Sequence, residues 1–196
     1  MPCKRCGYSR SRSTFYKDQN RLKAMENQSE KPVICFLCTG NAARSVMARI
    51  MFEKRAPNYV AVGAGTLVLE GHPMSQRTRK ALERFEISDP THRSSQFGER
   101  HTGVDLVVAM EPSHIEWIRR NFPEVATRAA TLPRLVRELP KEGSLVERVM
   151  KLNLAEVEVE SWEEVVDPAS GDQEIFDSCA AEIDRLINQL IDRLPK

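Results

Sequence analysis

Cys38 closes the apolar run Val33-Ile34-Cys35-Phe36-Leu37 and opens the segment Thr39-Gly40-Asn41-Ala42-Ala43-Arg44-Ser45, after which a helical pattern begins. A thiolate is a nucleophile for phosphorus, and an arginine six positions later offers a planar fork that grips two phosphate oxygens at once. The spacing by itself decides little. Cys6 with Arg12 and Cys179 with Arg185 show the same interval in an arginine-rich chain. Context separates the three. Cys6 has no strand pattern before it, and Cys179 falls in a helical stretch, where six residues rise about 9 Å and cannot curl into a cup. Only Cys38 has strand, tight loop and helix in succession. Gly40 and Asn41 tolerate left-handed backbone angles, so the loop N–H groups can point inward as an anion nest, and the helix start adds its positive end. The same field favours a thiolate, and the Ser45 hydroxyl is placed to donate to it.

Expelling an alkoxide or phenoxide needs a proton donor beside the cup. Asp167-Pro168 suits that role: it precedes Gly171 and leads directly into the last helical segment, so a rigid element would hold it. An Asp-Pro pair also initiates turns, and residue types alone leave both readings open.

The elements that must position these groups alternate short apolar runs with amphipathic stretches, the pattern of a parallel sheet with crossover helices. Strands are expected at Val33 to Leu37, Tyr59 to Gly63, Asp105 to Met110 and Arg128 to Leu132. Helices are expected near Ser45 to Arg55, Ser75 to Phe85 and Pro112 to Asn121. The stretch from Leu132 to Glu164 is helix-prone but broken by Pro133, Pro140 and Gly143. The clearest helix is the last. Phe176, Cys179, Ile183, Leu186, Ile187, Leu190 and Leu194 fall on one face, and Ser170 with Gln173 is expected to form its capping box.

Bulk properties narrow the class. With 196 residues and 41% hydrophobic content, one substantial core is expected. Residues 1–30 are polar, basic and without period, and read as a disordered leader ahead of a catalytic domain over 31–196; Met25 would serve as an internal start. No apolar run approaches the roughly 18 residues of a membrane span, and no signal peptide is evident. A cytoplasmic protein with reduced thiols is expected, without a membrane or nucleic-acid partner. Cys3 and Cys6 form a lone CxxC with no second pair for zinc.

Cys38 to Ser45 resembles the phosphate loop of the low-molecular-weight protein tyrosine phosphatases, and Asp167-Pro168 resembles their late acid loop. Further matches are Ala64-Gly65-Thr66, Gly71-His72-Pro73-Met74, His92 with Gln96, Met110, and Gly171, Phe176 and Cys179. The resemblance covers about residues 32–194. It implies a three-layer α/β fold, a four-stranded parallel sheet with helices on both faces and the phosphate loop after the first strand. It also implies hydrolysis of a phosphomonoester, on a phosphorylated protein or a small molecule, with no metal or cofactor. The nucleophile would be Cys38, the phosphate clamp Arg44 and the general acid and base Asp167. Thr39, Gly40, Asn41, Ala42, Ala43 and Ser45 would bind the substrate phosphate.

The departures bear on substrate. Ala169 replaces the aromatic residue that usually follows Asp-Pro, and Leu67, Val68 and Leu69 stand where another aromatic is common, so an aliphatic, wider pocket is expected. Ala43 replaces the second loop cysteine of many relatives, which removes protection of the nucleophile as a disulfide. Gly63 replaces a serine that helps hold the loop asparagine, leaving His92 as the candidate support; His92 also reads as a surface residue after Pro90-Thr91. Relatives acting on phosphoarginine tend to carry threonine at the position of Ala42, which ranks phosphotyrosine above phosphoarginine. The rival readings are an arsenate reductase fed by an external thiol, which needs only Cys38, and a phosphate-binding module without turnover.

Overall fold

The computed structural model describes residues 31–196. Among them four strands pair in parallel in the order β2-β1-β3-β4: β1 (Val33–Cys38), β2 (Val60–Gly65), β3 (Leu106–Ala109) and β4 (Ala129–Thr131). β1 is apolar along almost its whole length because both faces are covered. Ile34, Phe36 and Cys38 point into the larger core; Cys35 and Leu37 point into the smaller one on the other side. The expected three-layer arrangement is therefore present.

The larger core is covered by α1 (Arg44–Arg55), α2 (Gln76–Glu83), α4 (Leu132–Glu138), α5 (Leu145–Met150) and α6 (Gln173–Ile191). The smaller core lies under α3 (Pro112–Asn121), which supplies Ile115 and Ile118. In α6, Ile183, Ile187 and Leu190 are fully buried. Each is worth roughly 1.5–3 kcal/mol of hydrophobic stabilisation, which outweighs the helix's many charges.

The elements differ from expectation mainly at their ends. β2 runs two residues further than expected, to Gly65, because Ala64 and Gly65 pair with Leu37 and Cys38 at the end of β1. α2 stops at Glu83, before the left-handed Glu86. α6 is capped by Asp172, whose carboxylate accepts from the N–H groups of Glu174 and Ile175 at 3.0 and 3.2 Å; the expected Ser170 and Gln173 box does not form. An ionised carboxylate is the better partner for the positive end of a helix. The leader and the Cys3 and Cys6 pair lie outside the described residues. No helix of the described residues is long and apolar enough to cross a membrane.

Candidate active site

In parallel sheets, ligands collect at the carboxyl ends of the strands, where the strand order reverses. Here that point is β1, whose neighbours are β2 and β3. Cys38 is its last residue and the loop 39–43 leads straight into α1. Ala43 at the helix N-cap has no side-chain acceptor, so it does not occupy the first N–H groups of α1 that face the loop.

Loop shape rests on Asn41 more than on Gly40. Asn41 is left-handed at φ 47°, while Gly40 is not in that region and a Cβ there would meet nothing within 4 Å. Of the two positions that tolerate left-handed angles, only Asn41 adopts one. Gly65 is the glycine that space demands. A Cβ there would lie 2.5 Å from the Thr39 carbonyl oxygen, because β2 and the loop approach backbone to backbone.

The Asn41 side chain fixes the direction of a chain of hydrogen bonds. Its Oδ1 accepts from the Ser95 N–H at 3.0 Å, which leaves Nδ2 to donate to Ser45 Oγ at 2.9 Å. With that oxygen already accepting, the Ser45 hydroxyl hydrogen is free to point at Cys38 Sγ, 2.9 Å away. His92 Nε2 lies 2.9 Å from the Asn41 carbonyl oxygen, and Ser94 Oγ donates to the same oxygen at 2.8 Å. The loop asparagine is thus held by Ser94 and Ser95 as well as by His92, although Gly63 has no side chain to offer. Burial lowers the pKa of His92, so it contacts the loop as a neutral imidazole at neutral pH. On the other flank, the Ala42 carbonyl accepts from Thr78 Oγ1 at 2.9 Å and from the Ser75 N–H at 3.2 Å, which ties the start of α2 to the loop.

Arg44 is almost wholly buried, 2% exposed, and is bound by three groups. One nitrogen donates to the Val165 carbonyl at 3.1 Å and to Glu111; the other donates to Asp167 Oδ2 at 2.6 Å. Asp167 Oδ1 accepts from the Ala169 N–H at 3.0 Å, and the half-exposed carboxylate faces the cup. The segment bearing it is pinned to the end of β3 by the Val165 N–H donating to the Met110 carbonyl at 2.8 Å. Cys38, Ser45, Arg44 and Asp167 therefore share one site.

Glu111 and His114, like Ser94 and Ser95, have no counterpart among the residues expected from sequence. Glu111 holds Arg44; burial raises its pKa, but hydrogen bonds from Ser113 and Arg44 outweigh that, and it stays ionised below the usual carboxylate range. His114 Nε2 lies 3.0 Å from Thr39 Oγ1, and burial brings its pKa down to about 4, so it is neutral. Both follow Met110 in Glu111-Pro-Ser-His114, at the carboxyl end of a central strand, and that position was the signal available. Of the other described cysteines, Cys35 lies in the smaller core, whereas Cys179 lies in the larger core within reach of the charges of Arg44, Asp167 and Cys38. Burial raises the Cys35 thiol far above its ordinary value and pushes Cys179 up to about 12.

Residues 33–147 match the model of the low molecular weight phosphotyrosine protein phosphatase family. The chain belongs to that family. It is similar to a protein-arginine-phosphatase of Geobacillus stearothermophilus, 28% identical over 163 residues that cover 82% of this chain and 95% of the relative. It is similar also to the low molecular weight protein-tyrosine-phosphatase PtpB of Staphylococcus aureus, 26% identical, with 81% and 96% covered. A solved low molecular weight protein tyrosine phosphatase from T. tengcongensis superposes with a TM-score of 0.67 at 28% identity, over 83% of this chain and 99% of that one. The chain is a phosphatase of this family. The family model ends before Asp167, so the acid loop stands on its own geometry.

Proposed function

We propose that this phosphatase hydrolyses phosphotyrosine on protein substrates through a phosphocysteine on Cys38. The observation that carries the reading is the 2.6 Å contact between Arg44 and Asp167, which sets a carboxyl group beside the nucleophile's cup across 123 positions of sequence. A phosphate dianion entering the cup competes with Asp167 for Arg44. As Arg44 turns its donors to the phosphate oxygens, Asp167 is released toward the leaving group. Once released from Arg44, Asp167 takes up a proton from solvent; the Cys38 thiolate then forms the S–P bond while the P–O bond breaks, and Asp167 gives that proton to the departing oxygen. In the second step Asp167 takes a proton from water, whose oxygen displaces sulfur. Ser45 donates to the departing thiolate, and phosphate and the starting enzyme are restored.

Thr39 to Ala43 contribute the N–H groups around the phosphate, and no step needs a metal. Leu67 and Leu69, 77% and 72% exposed, border a cleft of about 330 Å³ together with Gly40 and Ala42, an apolar wall for the residue that carries the phosphate. Phosphoarginine is the second reading, favoured by the name of the Geobacillus relative and disfavoured by Ala42 at the position where threonine is usual. The test is p-nitrophenyl phosphate hydrolysis, then phosphotyrosine against phosphoarginine peptides. Cys38→Ser is expected to be inactive and Asp167→Asn slowed roughly 10²- to 10⁴-fold. An undiminished rate in Cys38→Ser would sink the proposal. Phosphate binding without turnover would favour a binding module, and arsenate-dependent thiol consumption would favour a reductase.

A further inference from the structure

On the side of the loop away from Leu67 and Leu69, a second cleft of about 450 Å³ opens between α2 and the acid loop, bordered by Ala42, Ala43, Arg77, Ala169 and Phe176. Ala42 lines both clefts, so a chain running past the phosphorylated residue enters this one next. Its walls are mostly small or apolar, and its one charged border residue is Arg77. That guanidinium is exposed and lies 5.9 Å from the Phe176 ring centroid, yet it forms no ion pair among the described residues, although α6 beside it begins with several carboxylates. Two of these carboxylates are otherwise engaged, and the third, Glu174, borders a separate cleft with Arg84 and Ser178. Asp172 caps α6 and Asp177 binds Arg84 and Gln173, while the Gln173 amide donates to the Arg77 backbone carbonyl at 3.1 Å. Arg79 and Lys80 on the same helix are also exposed and carry no ion pair among the described residues. The start of α2 is fixed to the loop through Ser75 and Thr78, so this positive edge is held at a set distance from the phosphate site.

We propose that Arg77 and the cleft it borders recognise an acidic residue flanking the phosphorylated residue of a protein substrate. The inference rests on the phosphatase reading and adds the class of substrate. A carboxylate in the cleft would take two donors from Arg77, a bidentate geometry that lysine does not offer, while the Phe176 ring holds the guanidinium in place. Because the pair is solvent-exposed, the preference is modest and sensitive to salt.

The test compares two phosphotyrosine peptides that differ only in glutamate or lysine at the positions flanking phosphotyrosine. The wild-type protein is expected to favour the acidic peptide about fivefold in kcat/KM at low salt, mostly through KM, the preference shrinking as salt is raised. Arg77→Glu is expected to reverse the order, Arg77→Gln to abolish it, and Arg185→Glu, the same charge change farther along α6, to keep it. Each ratio is taken within one preparation, so a loss of folded protein cancels. Equal wild-type rates on the two peptides, or an unchanged ratio in both Arg77 variants, would overturn the inference. Failure of the wild type to turn over p-nitrophenyl phosphate is a different result; it removes the phosphatase reading itself.

Discussion

At Asn41 a backbone N–H from Ser95 settles which end of the amide faces Ser45, and through Ser45 it settles where a proton points relative to Cys38. Losing that proton should be felt most when the thiolate departs. Ser45→Ala is expected to slow breakdown of the phosphocysteine about 10- to 100-fold, the range for a hydrogen bond to a charged group. A burst of p-nitrophenol before a slower steady rate would report it. Gly65 tests shape instead of charge. Gly65→Ala places a methyl group against the Thr39 carbonyl, a backbone atom that cannot swing aside, so kcat/KM should fall while the sheet remains folded by circular dichroism. Cys38, Arg44 and Asp167 were legible from sequence because their types announce chemistry and their flanks announce strand, loop and helix. Glu111, His114, Ser94 and Ser95 were not. They reach the loop only through the pairing of β1 with β3 and through the segment that follows β2, and neither leaves a local signature.

The acid loop is held by an element that sequence left unresolved. Arg134 on α4 grips the fully buried Glu163 through two nitrogens, and Glu163 also accepts from Thr131 Oγ1 at 2.6 Å and from the Glu160 N–H at 2.8 Å. Arg137 stacks over Trp162, 3.9 Å from the ring centroid. Together these fix the chain four residues ahead of Asp167. Glu163→Ala takes the bidentate partner from the buried Arg134, which keeps Glu138 at 2.9 Å and the Glu158 carbonyl at 2.8 Å, and the loss of hydrogen bonds to a charged group costs about 1.5–3 kcal/mol. A thermal melt should show a clearly lower midpoint, and the surviving folded protein should lose turnover more than phosphate affinity. The prolines and glycine between Leu132 and Glu164 correctly marked interruptions. The ion pair that joins the pieces spans 29 positions and has no periodicity to reveal it.

The whole molecule should be sensitive to acid for a reason visible in its histidines. Burial lowers the pKa of His92, His101 and His114, the last to about 4. Above about pH 6.5 these side chains are neutral in both folded and unfolded chains. Between that pH and their folded values the unfolded chain binds protons that the folded one refuses, so stability falls as pH falls. Glu111, Glu163 and Asp89, all lowered on folding, act in the same direction at still lower pH. The unfolding free energy from urea melts should therefore drop between pH 7.5 and 5, and His114→Gln should shrink that drop by about 2 kcal/mol. A drop of the same size in the variant would rule out His114 as a source.

The layer order and the parallel sheet were legible at this scale, since alternating apolar and amphipathic segments admit few other folds. The two clefts were legible only in part. Ala169, Leu67 and Leu69 pointed to an aliphatic pocket, while the place of Arg77 depends on how α2 meets α6.

The central claim is a covalent bond between Cys38 and phosphorus. Asp167→Asn with p-nitrophenyl phosphate isolates it: the good leaving group needs little acid help, whereas hydrolysis of the intermediate lacks its base, so the intermediate should accumulate. Mass spectrometry of the quenched protein is expected to find a phosphoryl group on Cys38. A phosphoryl group on another residue, or steady turnover with Cys38 never modified, would contradict the account.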